Sequence, residues 1–326
     1  MLKKLPPNFP LTPAPLGSVS PRGWLKREFV VQKDGLTGHI DEIWDDLGKN
    51  SGWLGGTGEN WERGPYYLDG LVPLAYSLGD DALKAKAQPW IEWMLTSQRE
   101  DGFFGPADNL DWWPRMVALK VLTQYAEATD DPRVAPFLDS YFRYQLKTMP
   151  DFPLSMWAAA RGQEQLNSML WLYRKTGEPY LLELAELLRK QSYDWAGFFT
   201  HFPYEKTTHA YLNRPLFMAA KRITLIQDWT AKRVKRARVR QGKPILPPKP
   251  KTKEQIESGN ASPFLQAFHK THAVNLAMAL KMPALDMFFG GDADGANHVQ
   301  TGLDAIEHYH GLANGQIGRA SCRERV

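Results

Sequence analysis

Apolar residues recur at helical spacing along almost the whole chain, and the alternation expected of strands is scarce. Leu68, Leu71, Val72, Ala75 and Leu78 fall on one face of a helix over 66–78. Short breaks interrupt the pattern: LGDD at 78–81, ATDD at 128–131, KTGE at 175–178 and FGGD at 289–292. Gly suits the C-cap of the helix that ends, and Asp the N-cap of the one that starts. The acidic positions 80, 130 and 178 stand about 50 residues apart, and the step from 178 to 292 is roughly twice that. Such a period, with a helix on either side of each break, predicts repeated helical hairpins.

Ten helices follow from the pattern: 24–47 (interrupted near Gly35 and Gly38), 66–78, 81–98, 114–128, 132–148, 163–176, 179–194, 207–240, 265–289 and 294–310. The expected fold class is all-α, an incomplete (α/α)6 toroid of helical hairpins, because a closed ring of six hairpins holds twelve helices. Residues 1–22 read as an extended, Pro-rich arm with no apolar core of a signal peptide. Residues 23–315 read as one helical domain fragment, with a basic insertion at 231–253 that carries ten Lys or Arg. That run lacks the interleaved aromatics of single-strand binders and is expected to be a solvated insertion.

Composition adds three points. The net charge of +4 is small for 326 residues, so neither a nucleic-acid nor a membrane partner is expected. No apolar run reaches the ~18 residues of a membrane span, and a cytoplasmic location is the default. The chain holds one cysteine, Cys322, which excludes an intrachain disulfide. It lies in IGRASCRERV, 317–326, which resembles the read-through translation of a common sequencing adapter. Residues 316–326 are therefore expected to be a non-native tail.

The chain is rich in Trp, with 12, and four stretches combine aromatics with polar groups at loop-to-helix junctions. GENWERGPYYLDGL, 58–71, brings Glu59, Trp61, Glu62 and Arg63 to the start of a helix, with Tyr66 and Asp69 three apart on one face of it. Carboxylates beside aromatic rings suit a sugar: acceptors for hydroxyls and a platform for stacking. The bland alternative pairs Arg63 with Glu59 or Glu62. DGFFGPADNLDWWPR, 101–115, sets Trp112 and Trp113 at a helix start, where two adjacent rings are not expected to share the core. ARGQEQLN, 160–167, offers Glu164 and Asn167, facing a cavity if their helix is an inner one. HKTHAVNLAMALK, 269–281, offers His272; His269 shares its face, but the HExxH zinc pattern is absent. No phosphate-binding loop or GxSxG motif appears.

These stretches, in this order on helical hairpins, resemble the catalytic domain of glycoside hydrolase family 127, the β-L-arabinofuranosidase-like proteins. The nearest points are WERGPYYLDGLVPLAYSLGD, RGQEQLNSMLWLYRKTGE, THAVNLAMALKMPAL and GLDAIEHYHGLANG. The resemblance implies a retaining hydrolase of terminal arabinofuranosyl units. A Glu would act as acid/base, and a zinc-bound Cys thiolate, in a three-Cys, one-Glu site, as nucleophile. It also implies that those residues follow the stretch matching HYHGLANG, so the catalytic residues are not identified in this chain. No cofactor is expected in the fragment; zinc is expected of an intact protein. Only His272 carries over as a sugar-contacting residue. Two positions depart from the family, Gly162 and Asp69-Gly70, where members carry a His.

The expected substrate-binding set is thus Glu59, Trp61, Tyr66, Asp69, Trp112, Trp113, Glu164, Asn167 and His272, with a carbohydrate as partner. Two other readings stay open. A sugar epimerase or carboxylate-based hydrolase would work from Glu59 and Asp69. A non-catalytic carbohydrate-binding scaffold would stack sugars on Trp112 and Trp113.

Overall fold

The computed structural model describes residues 14–203, 251–291 and 293–311, together with scattered positions between 215 and 241. All of its elements among these residues are helical. Helices α1 (Gly23–Asp34) and α2 (Leu36–Ile43) precede a loop with two short 3-10 turns, Asp45–Leu47 and Gly52–Leu54. Then come α3 (Arg63–Leu78), α4 (Asp81–Thr96), α5 (Trp112–Thr129), α6 (Val134–Thr148), α7 (Trp157–Arg161), α8 (Leu166–Thr176), α9 (Tyr180–Gln191) and α10 (Trp195–Thr200). The last described segments hold α11 (Lys253–Asn260), α12 (Pro263–Lys270), α13 (Ala273–Ala279), α14 (Met282–Met287) and α15 (Gly295–His310).

Consecutive helices pack as hairpins, α3 with α4, α5 with α6 and α8 with α9. The first member of each also packs on the next, so α3, α5 and α8 line up as neighbours, and α14 continues the row beside α8. The all-α hairpin architecture read from the periodicity is the one observed. Leu68, Leu71 and Leu74 of α3 and Leu119 and Leu122 of α5 are fully or almost fully buried in the shared core. Each such Leu contributes roughly 1.5–3 kcal/mol of transfer free energy.

The hairpin breaks use their residues differently. At LGDD, Gly79 ends α3 in the left-handed region and Asp80 caps α4, accepting from the Leu83 N–H at 3.0 Å, as the pattern predicted. At ATDD the left-handed position falls on Asp130 (φ 53°), and Asp131 bonds the Arg133 N–H instead of capping α6. At KTGE, Gly177 closes α8 and Pro179 precedes α9 without a side-chain cap.

Two long predicted helices are broken. Residues 163–176 divide into a 3-10 turn, Gly162–Gln165, and α8. Residues 265–289 divide into α12, α13 and α14. Asn275 Nδ2 donates to the His269 carbonyl at 2.9 Å, satisfying an acceptor at the end of α12. Pro283 sits in the first turn of α14, where its missing N–H costs nothing. Of the predicted helix 207–240 only scattered positions are described, and these are helical; much of the basic insertion, Asp292 and the tail from 316 lie outside the described residues.

Candidate functional site

Three loops lead into α3, α5 and α8, and most of the predicted residues sit on or beside them. The first is folded on itself by backbone bonds: Gly52 N–H to the Glu59 carbonyl and Gly58 N–H to the Asn50 carbonyl, both 2.7 Å. Gly55 (φ 82°) is required there, because a Cβ would stand 2.6 Å from Trp93 Nε1. The second loop, 101–111, is fastened to the first. Asn60 Nδ2 donates to Asp108 (2.8 Å), Asn109 Nδ2 to the Asn60 carbonyl (2.6 Å) and Trp61 Nε1 to Asp111 (2.7 Å).

Arg115 organises this pair of loops from below. It is fully buried and donates to the carbonyls of Phe104, Pro106, Asn109 and Asp111 at 2.7–3.1 Å. Its guanidinium lies over the Phe103 ring, 4.0 Å from the centroid. Burial draws its pKa down to about 10, so it keeps its charge at neutral pH. Burial also raises the Asp111 and Glu59 carboxyls above their ordinary values. Glu59 Oε1 accepts from the Trp61 N–H at 3.0 Å, while Oε2 is enclosed with no partner among the described residues.

Glu62, three residues further on and just ahead of α3, faces another set of groups. Its Oε2 accepts from Trp113 Nε1 at 2.5 Å and from Arg161 Nη1 at 3.1 Å. Arg161 ends α7, is 4% exposed, and lies between two indoles, 4.9 Å from the Trp113 centroid and 4.5 Å from that of Trp157. Its Nε donates to Asn275 Oδ1 at 2.7 Å. Beyond Trp113 stands the Tyr66 ring, 6.1 Å away and 37% exposed, its hydroxyl 3.9 Å from Met278 Sδ. Beyond Trp157 stands half-buried His272, edge-on at 5.3 Å. The result is one row of π systems: Tyr66, Trp113, Arg161, Trp157, His272.

His269 lies below the row, fully buried, 4.7 Å from Trp157, with Nδ1 2.9 Å from the Tyr193 hydroxyl. Burial first, then the charges of Arg161 and His272, lowers its pKa to about 3 and keeps the ring neutral. Trp157 is delivered by an unusual backbone: Met156 has φ 53°, and Asn260 straps the segment by accepting from the Met156 N–H (3.2 Å) and donating to the Leu154 carbonyl (2.6 Å).

Several expectations need correction. Neither tryptophan of the WW pair lines an open rim: Trp112 is 4% and Trp113 0% exposed. Trp112 bonds the Phe152 carbonyl at 3.0 Å and packs on Tyr144 and Phe152. Both rings find cover because α5 has neighbours on opposite sides, α3 on one and α6, α7 and α8 on the others; 13 of its 18 residues are buried. Arg63 pairs with Asp46 and sits over Trp44, not with Glu59 or Glu62. Asp69 is held by Lys120 and Gln124 of α5, both at 3.0 Å, while Glu59 turns into its own loop. The carboxylate-pair reading therefore loses its geometry. Asn167 bonds the Glu164 carbonyl at 3.2 Å, and the buried Glu164 carboxylate is held by Lys281 at 2.7 Å.

Of the predicted residues, Tyr66 packs against Trp113, and His272 packs against Trp157 on the other side of Arg161's contacts. Glu59 and Trp61 belong to the adjoining loop network. Arg161, Asn275, Trp157 and the role of Glu62 were missed. Arg161 stood in plain view in ARGQEQLN, but its partners lie 99 and 114 positions away and no local spacing announces them. A cleft of about 320 Å³ also opens between the first two loops, lined by Gly52, Gly55, Gly56, Trp93, Pro106, Ala107 and Asp108. None of the nine predicted residues lines it.

The donor set for zinc does not fit this chain. A three-Cys, one-Glu site needs three thiolates, and the chain has one cysteine, outside the described residues. Among the described residues no group of three or more His, Cys, Asp or Glu is placed to hold a metal. No helix among them is long and apolar enough to cross a membrane.

Helical hairpins, loops gathered ahead of the first helix of each, and a group of aromatic and polar side chains beneath them are consistent with a helical toroid of hairpins. The family model described as β-L-arabinofuranosidase, GH127 catalytic domain, matches residues 42–197, and over this stretch the chain is similar to that family. The stretch runs from the end of α2 into α10 and contains Glu59, Glu62, Tyr66, Trp113, Trp157 and Arg161. No curated protein and no solved structure gives a match.

Proposed function

We propose that this chain carries the glycoside-binding part of a glycoside hydrolase that acts on terminal arabinofuranosyl or closely related units. The observation that carries the reading is the family match over 42–197, which spans all three loops ahead of α3, α5 and α8. The row from Tyr66 to His272 supports it. Exposed Tyr66 and half-buried His272 stand at its two ends, with polar hydrogens and apolar ring faces together, as a furanose ring with its hydroxyls requires. No residue described here is assigned as acid/base or nucleophile.

Binding is the direct test, because it needs no nucleophile. Isothermal titration with methyl β-L-arabinofuranoside is expected to show saturable binding that weakens in His272→Ala. Absence of binding, alongside clear binding of a pyranoside such as methyl β-D-galactopyranoside, would overturn the furanoside reading.

A further inference from the structure

The guanidinium of Arg161 has five N–H donors in a fixed plane. Nε is used by Asn275 and Nη1 by Glu62. Nη2 makes no hydrogen bond to any described residue, although the side chain is only 5% exposed. Nor is it among the enclosed polar atoms that lack a partner, so it reaches the open side of the cluster. A buried cation does not leave two donors idle without cost, and an oxygen from outside the protein is what would satisfy them. The guanidinium also packs on the Trp113 and Trp157 indoles, which with Glu62 and Asn275 restrain the fork from turning to another acceptor.

Resting on the function proposed above, we infer that Arg161 is a ligand-binding residue whose Nη2 donates to an oxygen of the bound glycoside, while Glu62 and Asn275 hold the guanidinium in position. The charge balance specifies which oxygen. Glu62 offsets Arg161, and Lys281 is offset by Glu164, so the cluster carries no surplus positive charge for a carboxylate. The matching ligand is a neutral sugar presenting a hydroxyl or ring oxygen, not a uronic acid. Tyr66 packs on Trp113 and His272 on Trp157, the two indoles that hold the guanidinium.

Two arms test this. In the first, titration with methyl β-L-arabinofuranoside is expected to weaken by about tenfold or more in Arg161→Lys, since a compact ammonium lacks the planar fork that spans Asn275, Glu62 and the ligand. In the second, formate is the probe. Glu62→Gln keeps an acceptor for Trp113 and Arg161 but removes the offsetting charge, so this variant is expected to bind formate where the wild type does not. The double variant Glu62→Gln/Arg161→Lys is expected to lose it. Unchanged sugar affinity in Arg161→Lys overturns the inference, as does absence of formate binding in Glu62→Gln. If the wild type ignores the arabinofuranoside, the proposed function fails and the formate arm alone decides whether the open donor exists. If Arg161→Lys does not fold, by circular dichroism, the comparison of Glu62→Gln with wild type decides.

Discussion

Glu59 and Glu62 stand three residues apart in one loop and serve opposite purposes. Glu59 turns back into the Gly-rich loop, bonds the Trp61 amide and leaves one oxygen enclosed without a partner. Glu62 turns forward and joins an indole N–H to a buried arginine. The first belongs to a shell of loops held by backbone carbonyls around Arg115. The second belongs to a cluster held by side chains from α3, α5, α7 and α13. A carboxylate beside a tryptophan is thus no sufficient sign of a binding site; what distinguishes the two is whether a group nearby still has a donor to offer.

The largest effect is expected where the shell depends on one residue. Arg115→Met should cost about 3 kcal/mol or more, because up to four enclosed carbonyls lose their donor together. Chemical denaturation reads the loss, and amide exchange should show it concentrated in 101–111. A loss of under about 1 kcal/mol would mean that water replaces the guanidinium and that the shell does not hang on it.

Acid and base titration should separate the two regions by sign. His269 in the cluster has its folded pKa lowered to about 3, against an ordinary value of 6.5 in the unfolded chain. Between those values the unfolded chain takes up a proton that the folded one refuses, so its contribution is present above pH 6.5 and is lost as pH falls toward 3. Glu59 in the shell has a raised folded pKa, so its contribution is present below its ordinary value of 4.5 and is lost as pH rises through the folded pKa. His269→Asn should flatten the acid-side loss, and Glu59→Gln should gain on the wild type as pH rises past that window. Melting temperatures at stepped pH check both. Parallel profiles for wild type and either variant would remove that residue from the account.

The fold was largely legible because helical periodicity is local, and so are the caps at LGDD. Legibility failed where one helix is interrupted by a partner from elsewhere, as at His269, whose carbonyl is claimed by Asn275. The site was half legible for the same reason. Tyr66, Trp113 and His272 announced themselves by residue type at loop-to-helix junctions. Arg161 did not, since an arginine at the end of WAAAR looks like an ordinary C-terminal helix charge. The WW pair misled because the rule that adjacent helical residues face different ways assumes one covered side, and α5 has more than one.

The two departures from the family, both at glycines, sharpen the contrast on a smaller scale. At Gly162 a Cβ would stand 2.5 Å from Leu154 Cδ1 and 2.8 Å from Ser192 Oγ, so the space another side chain would need is already occupied. Both obstacles are movable side-chain ends, and Gly162→Ala should cost about 1 kcal/mol. At Gly70, exposed on α3 beside Asp69, a Cβ would meet nothing within 4 Å. There the glycine only adds backbone entropy to the unfolded chain, and Gly70→Ala should stabilise by roughly 0.5–1 kcal/mol. Arabinofuranoside affinity should not change in Gly70→Ala, since the residue touches neither the shell nor the row. A destabilised Gly70→Ala would show that α3 needs this glycine for a close approach absent from the structure, and would make the departure at 70 as constrained as the one at 162.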